Sequence, residues 1–302
     1  MKRCPGVVML IGLALAVLPV VSPCANENLV DDLKALQKID RDTVLEREKV
    51  PVLKKQYDRI LSQANRETLA KLSNDDLLAF FQASHLLSFY AMDPAYARQM
   101  RRAFIELERR HSETMTIRQQ MLDAYVLSRM LAEARAFADE RGNASLIKPP
   151  AFVDAGSHRS PTLWRLSDDG ATLTRHDLPL AQDTRLIVVS APGCHFTRDA
   201  SAAIANDSVL SDLMVHHSTW VIPQSTVPFA DVVQWNQEHP GWPTQLVYLE
   251  TEWPSIPSWA TPGFYFFQNG KIVTSVVGWP GPEQLAALRA GFIKVGIDHH
   301  AP

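Results

Sequence analysis

Cysteine is scarce in this sequence, because its 302 residues include only Cys4, Cys24 and Cys194. A disulfide framework needs more sulfur than this, and so does a structural zinc site built on several thiolates. Neither device is therefore expected to organise the fold.

An excess of positive charge is also missing. Lys and Arg together number 30 and Asp and Glu number 33, which gives a net charge of −3. Proteins that bind DNA or RNA carry a basic patch, so no nucleic-acid partner is expected. Hydrophobic residues make up 46% of the chain and charged residues 21%. That composition provides enough apolar material for a buried core and excludes wholesale disorder.

Residues 1–25 have the pattern of an export signal. Lys2 and Arg3 precede an apolar run over residues 6–21, and small residues follow it. A positive start, an apolar stretch and a small-residue cleavage region are the features that direct a chain across a membrane. We therefore expect an exported protein, which would be periplasmic in a Gram-negative source and secreted otherwise.

Two other interpretations of this segment remain open. An uncleaved membrane anchor is disfavoured because the run is shorter than the ~20 residues of a spanning helix and because Pro19 interrupts it. A lipid anchor on Cys24 is disfavoured by Pro23 directly before it. Under each interpretation Cys194 is the only cysteine inside the folded body.

Residues 26–147 are predicted to form an α-helical bundle. Ser73 is placed to cap a helix, and Asp93 is placed to cap another whose first residue is Pro94. A further helix is expected from about Thr116 to Glu140, because its apolar residues recur at helical spacing. This region contains no motif that indicates a chemical activity, so two roles stay open: a scaffold, or a surface that docks a protein partner.

The pattern changes at Lys148, Pro149 and Pro150, which predict a linker. Over residues 148–302, apolar strand-like runs alternate with amphipathic helices, which predicts an α/β domain with a sheet covered on both faces. The predicted strands are TLWRLS, ATLTRHDL, TRLIVVSAP, STWVIPQ, GFYFFQ and KIVTSVVG. The fold class is therefore α+β with two domains, a helical bundle followed by an α/β domain.

One pair of sequence blocks in the second domain is specific. The apolar strand LIVVS runs through APG into Cys194, and RDASAAIAN after it has the pattern of a helix. Much later, Thr261 and Pro262 precede GFYFFQNGKIV, in which Asn269 and Gly270 favour a tight hairpin turn. Over residues 151–298 this arrangement resembles the thioredoxin-like superfamily. The resemblance implies a Cys-containing turn that opens a helix, with Pro262 as a distant cis-proline.

The sequence departs from that family at two positions of the turn. Thr197 stands where the dithiol members have their second cysteine, and Gly193 stands where an aromatic residue usually precedes the first. Cys194 therefore has no neighbouring thiol to resolve an intermediate. The resemblance also implies that Thr261, the residue before the proline, holds an extended substrate beside the sulfur.

A thiolate at a helix N-terminus is stabilised by unpaired backbone N–H groups and by the helix dipole, so the pKa of Cys194 should fall below its ordinary value. Thr197 is placed to donate to the sulfur, and His195 would add to the effect if it were cationic, although it can also point to water. We expect Cys194 to attack protein or small-molecule disulfides and form a mixed disulfide, which an external thiol or redox partner releases. No cofactor is required.

The competing hypothesis is a redox-inactive binding or adaptor module, in which the helical domain docks a partner and Cys194 is inert. No metal site is expected, because the pairs His216–His217 and His299–His300 are adjacent residues whose side chains diverge, which favours surface positions. A peroxidase turn is also excluded, because it needs a threonine and a proline at spacings before the cysteine that are absent.

Five tryptophans lie between residues 235 and 279. Trp235 and Trp279 are expected to fill the core. Trp253 and Trp259 are expected to line a groove for an extended substrate, because rigid aromatic side chains beside a thiol can hold an unfolded segment.

Overall fold

The structure, a computed structural model, describes residues 28–43, 46–66, 68–140, 142–157, 161–181 and 183–297. The expected export signal over residues 1–25, with Cys4 and Cys24, lies outside the described residues, as does the pair His299–His300. In the described part of the chain, no helix is long and apolar enough to cross a membrane.

The first half of the described chain is helical. Its helices are α1 (Leu29–Asp42), α2 (Glu46–Arg66), α3 (Asn74–Ala91), α4 (Pro94–Arg109), α5 (Met115–Leu127) and α6 (Leu131–Ala138), with a short 3-10 turn at Leu69–Lys71. The predicted helix starts are confirmed. Ser73 Oγ accepts from the backbone N–H of Asp76 at 3.1 Å, and Asp93 Oδ1 accepts from the N–H of Ala95 at 2.8 Å. These caps satisfy N–H groups that have no partner inside the helix.

The prediction of one continuous helix from Thr116 to Glu140 is wrong. The chain breaks between α5 and α6, where Arg129 has a left-handed backbone with φ 59°. Its side chain leaves the helical half and donates to the backbone carbonyls of Tyr248 at 2.7 Å and Val247 at 2.5 Å. These contacts, with residues more than a hundred positions away, lie beyond what helical spacing can predict.

The second half forms an eight-stranded mixed sheet with helices, so the α+β class is confirmed. The strands are β1 (Ala151–Asp154), β2 (Thr162–Leu166), β3 (Thr172–Asp177), β4 (Thr184–Val189), β5 (Ser218–Ile222), β6 (Thr244–Val247), β7 (Gly263–Gln268) and β8 (Lys271–Val277). The helices are α7 (His195–Ala205), α8 (Ser208–His217), α9 (Phe229–Glu238) and α10 (Gln284–Lys294).

The spatial order of the strands is β1-β3-β2-β6-β5-β4-β7-β8. Strands β4, β5 and β6 run parallel, joined by helical crossovers, and β7 and β8 form an antiparallel hairpin on the other side of β4. The hairpin of β2 and β3 joins the sheet through β6. The sequence pattern missed β1 and β6, which have four residues each.

Both faces of the sheet are covered. On one face, Leu186 and Val188 of β4 and Trp220 of β5 pack in a cluster with residues of α7, α8 and α10. On the other face, Ile187 and Val189 pack against residues of connecting segments, namely Leu178, Leu180, Trp253 and Ile256. The expected cover is therefore present, but on the second face these connecting segments supply it.

The helical half packs directly on the sheet. Apolar residues of β2, β3, β5 and β6 belong to the same buried cluster as the cores of α1 to α6; they are Trp164, Leu166, Leu173, Ile222 and Leu246. Polar contacts reinforce the junction, because the Gln224 side chain donates to the carbonyl of Leu127 at 2.9 Å. One continuous core thus spans the two halves.

Candidate thiol site

Cys194 lies at the junction of β4 and α7, where the sequence placed it. It is the N-cap of α7, with extended φ and ψ of −81° and 121°. Strand β4 is anchored because its last four residues, Leu186 to Val189, are all fully buried. The turn that follows is closed by a hydrogen bond from the Cys194 N–H to the Ala191 carbonyl at 2.9 Å. The sulfur is therefore held on a rigid strand-to-helix connection.

The segment before β7 lies beside the sulfur. Antiparallel pairing sets Val189, at the end of β4, opposite Gly263, at the start of β7, and so brings Thr261 and Pro262 to the same end of the sheet. The Thr261–Pro262 peptide bond is cis. Cys194 Sγ lies 3.6 Å from the Thr261 carbonyl oxygen, to which the thiol donates.

Gly263 is closely packed in this segment. A Cβ at this position would come within 3.0 Å of both the Ala260 carbonyl oxygen and the Tyr265 ring. Pro262 is buried, and its carbonyl accepts from the N–H of Gly278 at 2.8 Å. The segment opposite the sulfur is thus fixed by backbone contacts on both sides.

The pKa of Cys194 is set by opposing effects. Partial burial alone raises it, but hydrogen bonds to the sulfur outweigh burial and lower the pKa from its ordinary value. The largest of these comes from the Thr261 side chain, followed by the N–H and hydroxyl of Thr197 and the N–H of Phe196. These donors stabilise the thiolate rather than the thiol, which favours the nucleophilic form.

Thr197 lies entirely beneath the surface and connects the turn to the sulfur. Its Oγ1 accepts from the N–H of Ala191 at 3.4 Å, which leaves the hydroxyl hydrogen for the sulfur. His195, by contrast, is exposed, and its ring packs on Phe196 with centroids 3.8 Å apart. The groups that lower the Cys194 pKa are supplied by Thr261, Thr197 and Phe196.

The side chain of Trp253, which was expected to line a groove beside the thiol, is 3% exposed and packs in the core on the second face of the sheet. It also lines a cavity of about 580 Å³, whose lining includes neither Cys194 nor Thr261. The segment around Trp253 is drawn down onto the sheet by buried Ile256 and by a hydrogen bond from the Tyr265 hydroxyl to the Ser258 carbonyl at 2.7 Å. Trp259 is half-buried and meets Trp253 edge-on, with ring centroids 6.2 Å apart.

The expected core positions of the other two tryptophans are confirmed, since Trp235 is 3% and Trp279 4% exposed. His216 and His217 are not buried, and His216 contacts Asp212 on its own helix. Within the described ranges, no group of three or more His, Cys, Asp or Glu residues is arranged to hold a metal ion.

A cavity of about 240 Å³, not predicted from the sequence, lies next to the turn. Its lining residues come from the turn, the start of α7 and from α9; they are Pro192, Gly193, Arg198, Asp231, Gln234, Trp235 and Glu238. A Cβ on Gly193 would meet nothing within 4 Å. The position before Cys194, where the thioredoxin-like pattern usually has an aromatic residue, is therefore open. The available signal was the spacing of Arg198, one helical turn after Cys194.

Comparison with known proteins found no matching family model, no similar curated protein and no similar solved structure.

Proposed function

We propose that this protein has a thioredoxin-like fold in its second half and exchanges disulfides through Cys194 as a single nucleophile. The observation that carries the proposal is the position of Sγ, partly exposed at the N-terminus of α7 and 3.6 Å from the Thr261 carbonyl. The surrounding topology supports the fold assignment. A parallel pair, β4 and β5, lies beside an antiparallel hairpin, β7 and β8, and α10 follows.

The chemistry has two steps. The Cys194 thiolate attacks one sulfur of a substrate disulfide; an Sγ–S bond forms as the substrate S–S bond breaks, and the leaving thiolate takes the electron pair. A second thiolate, from the substrate itself or from an external thiol, then attacks the substrate sulfur and displaces Cys194. The enzyme returns to its starting state, and the substrate disulfide has been exchanged.

The residues around the sulfur have distinct roles in this scheme. Hydrogen bonds from Thr261, Thr197 and Phe196 stabilise the Cys194 thiolate. They do so both when Cys194 attacks the substrate and when it is displaced in the second step. The backbone of Thr261 lies where an extended substrate would run beside the sulfur. Since Thr197 replaces a second cysteine, the mixed disulfide persists until another molecule supplies a thiol. Export across a membrane would bring the protein into a compartment where disulfides form.

The test follows a peptide–glutathione mixed disulfide in the presence of glutathione. We expect the wild-type chain to accelerate release of the peptide thiol, because Cys194 attacks the glutathione sulfur and the peptide thiolate leaves. When free glutathione is omitted, we expect a Cys194–glutathione adduct by intact-mass spectrometry. Cys194→Ala should fall to the background rate and lose the adduct. Because that variant keeps Cys4 and Cys24, it also controls for sulfur outside the site.

A wild-type rate equal to that of Cys194→Ala, with no adduct, would overturn the proposal. The redox-inactive adaptor would then be the better description, with partner docking through the helical half. A variant with Cys194→Ser provides a second control, since it keeps a small polar side chain at the N-cap.

A further inference from the structure

The outward sides of α2 and α4 form a basic surface on the helical half. Exposed residues of α4 recur at three and four positions and so lie on one face of that helix; they are Arg98, Arg102, Ile105 and Arg109. The same spacing places exposed residues of α2 on one face; they are Lys55, Arg59, Ser62 and Arg66. We name the cations of these two faces the α2–α4 basic face; they are Lys55, Arg59, Arg66, Arg98, Arg102 and Arg109.

The two helices turn these faces in the same direction. Both helices pack on α3 through their buried sides, which lie opposite the exposed residues. On α2, for example, the Tyr57 hydroxyl lies 2.9 Å from Ser84 Oγ of α3. The helices also meet each other, because Arg102 Nη1 donates to Asn65 Oδ1 at 3.2 Å and the Tyr57 and Tyr96 rings meet edge-on. The basic face is therefore one surface.

The cations of this face are available to a partner. Within the described ranges, the side chains of Lys55, Arg59 and Arg98 form no ion pair and no hydrogen bond. Arg109 pairs with Glu106, yet 64% of its side chain stays exposed. The face therefore concentrates positive charge on a chain whose net charge is −3.

The acids nearest to the face have partners of their own. Asp58 lies on the outward side of α2 and pairs with Lys54 at 3.0 Å. Asp31 and Asp32 of α1 line a cavity with the two α2 arginines of the face. Asp31 pairs with Lys34 at 2.8 Å, and Asp32 accepts from two glutamine side chains of α2. In the described part of the chain, none of these acids forms an ion pair with the basic face.

We propose that the α2–α4 basic face docks the protein on an anionic phospholipid bilayer. Charge complementarity requires an anionic partner, and arginine suits phosphate groups because its guanidinium can donate to two oxygens at once. Ile105 favours a bilayer over an acidic protein or a nucleic acid. Its side chain lies among the arginines and is 53% exposed, so it can enter the boundary between the headgroups and the acyl chains.

Docking through this face is independent of the proposed disulfide exchange. All of its cations belong to α2 and α4, and the thiol site is built from residues that follow β4 and precede β7. Cys194→Ala should therefore bind vesicles as the wild type does. Either proposal can fail while the other holds.

The experiment measures co-sedimentation of the full chain with vesicles. Mixed vesicles of phosphatidylcholine and phosphatidylglycerol are compared with vesicles of phosphatidylcholine alone. We expect stronger binding to the mixed vesicles, and we expect that binding to weaken as added salt screens the charges. Residues 1–27 are the same in every variant, so any contribution that they make is common to all measurements.

A triple variant removes cations that have no partner to lose. It carries Lys55→Gln, Arg59→Gln and Arg98→Gln. Each Lys or Arg near an anionic bilayer strengthens binding about fivefold, so we expect the triple variant to bind the mixed vesicles about a hundredfold more weakly.

The control variant loses the same total charge from exposed positions of the second half. It carries Arg165→Gln, Lys271→Gln and Lys294→Gln, and it should bind the mixed vesicles as the wild type does. A second matched pair tests the apolar contribution. Ile105→Ser should weaken binding about fivefold. Ile293→Ser, at a 61% exposed position of α10, should leave binding unchanged.

Two kinds of result would overturn the proposal. The first is equal binding to the two kinds of vesicle, or an equal loss of binding in the two triple variants, because the basic face would then not recognise the bilayer. The second is binding of polyglutamate or of a double-stranded oligonucleotide without binding to the mixed vesicles. That result would assign the face to an acidic protein or to a nucleic acid.

Discussion

Cys194 Sγ and the Thr261 carbonyl oxygen lie 3.6 Å apart, although 67 positions separate the two residues. Their proximity follows from the pairing of β4 with β7, which places Val189 opposite Gly263. The thiol donates to this carbonyl. A hydrogen bond with the Thr261 side chain is also the largest of the contributions that lower the Cys194 pKa. Thr261 therefore influences Cys194 from a segment that is distant in the chain.

The Thr197 hydroxyl should control the ionisation of Cys194. Thr197→Val keeps the size and the backbone N–H but removes the hydroxyl that helps to lower the Cys194 pKa. We expect the midpoint of the rate of iodoacetamide alkylation against pH to lie below the ordinary thiol value in the wild type and to move upward in the variant. The variant should also lose about 1–3 kcal/mol of stability, because the Ala191 N–H loses its acceptor.

Thr197→Ser is the matched control, since it keeps the hydroxyl and should keep the wild-type midpoint. An unchanged midpoint in Thr197→Val would mean that the hydroxyl does not donate to the thiolate. The alkylation has to be measured with Cys194→Ala in parallel, so that reaction at Cys4 and Cys24 can be subtracted.

The lowered pKa of Cys194 also makes stability depend on pH. Burial opposes the shift, but the hydrogen bonds from Thr261, Thr197 and Phe196 prevail, so the folded pKa lies below the ordinary value of 9.0. The resulting stabilisation is fully present above the ordinary value and is lost as the pH falls through the folded pKa. We expect the free energy of unfolding of the wild type, relative to Cys194→Ser, to increase as the pH rises toward 9.0 and to level off above it.

Urea unfolding at a series of pH values measures this difference. Serine is the appropriate reference because its hydroxyl does not titrate in that range. A difference that stays constant, or that decreases as the pH rises, would contradict the assigned environment of the sulfur.

The parts of the fold that follow from local chemistry could be predicted from the sequence. The Ser73 and Asp93 caps bond to backbone N–H groups three and two residues away. Cys194 follows, after a three-residue turn, a run of residues apolar enough to form a buried strand. Each of these features depends on neighbours in the chain, which the sequence displays.

The parts that failed depend on distant residues. At the break between α5 and α6, the Arg129 side chain donates to the carbonyls of Tyr248 and Val247. Strand β6 pairs with β5 and β2, which lie far from it in the sequence. Trp253 is buried because the chain returns to β7 across the second face of the sheet, so that an aromatic-rich segment covers the core.

Arg129 should be a main contributor to the attachment of the helical half to the sheet. Besides its hydrogen bonds to Tyr248 and Val247, its guanidinium lies 4.9 Å from the Trp164 ring centroid. Burial lowers the pKa of Arg129 to about 10, so the side chain stays charged at neutral pH. We expect Arg129→Met to reduce the free energy of unfolding by about 2–3 kcal/mol, because two carbonyl oxygens lose their donors.

Urea unfolding measures this loss, with Arg165→Met as the control. Arg165 is exposed on β2, so the same substitution there should change stability by less than about 0.5 kcal/mol. Equal effects of the two substitutions would show that the contacts of Arg129 with the sheet contribute little.

Gly291 should be intolerant of a side chain. It lies buried in α10 against β7, where a Cβ would overlap Cε2 and Cζ of the Phe266 ring. That ring cannot move aside easily, because it is fully buried and packs edge-on against Phe292 with centroids 5.2 Å apart. Alanine is favoured over glycine by about 1 kcal/mol in a helix, whereas overpacking a core costs about 1–3 kcal/mol. We therefore expect Gly291→Ala to lower stability by up to about 2 kcal/mol, against the intrinsic preference of the helix.

A substitution at Ala290, the residue before Gly291, separates the helix preference from the packing cost. Ala290 is exposed on the same helix, so the loss of stability in Ala290→Gly measures the helix preference alone. Thermal or urea unfolding of both variants then gives the packing cost at Gly291 as the measured loss plus that preference. If Gly291→Ala were more stable than the wild type, α10 would have room to move away from β7, and the close contact between Gly291 and Phe266 would not constrain the sheet.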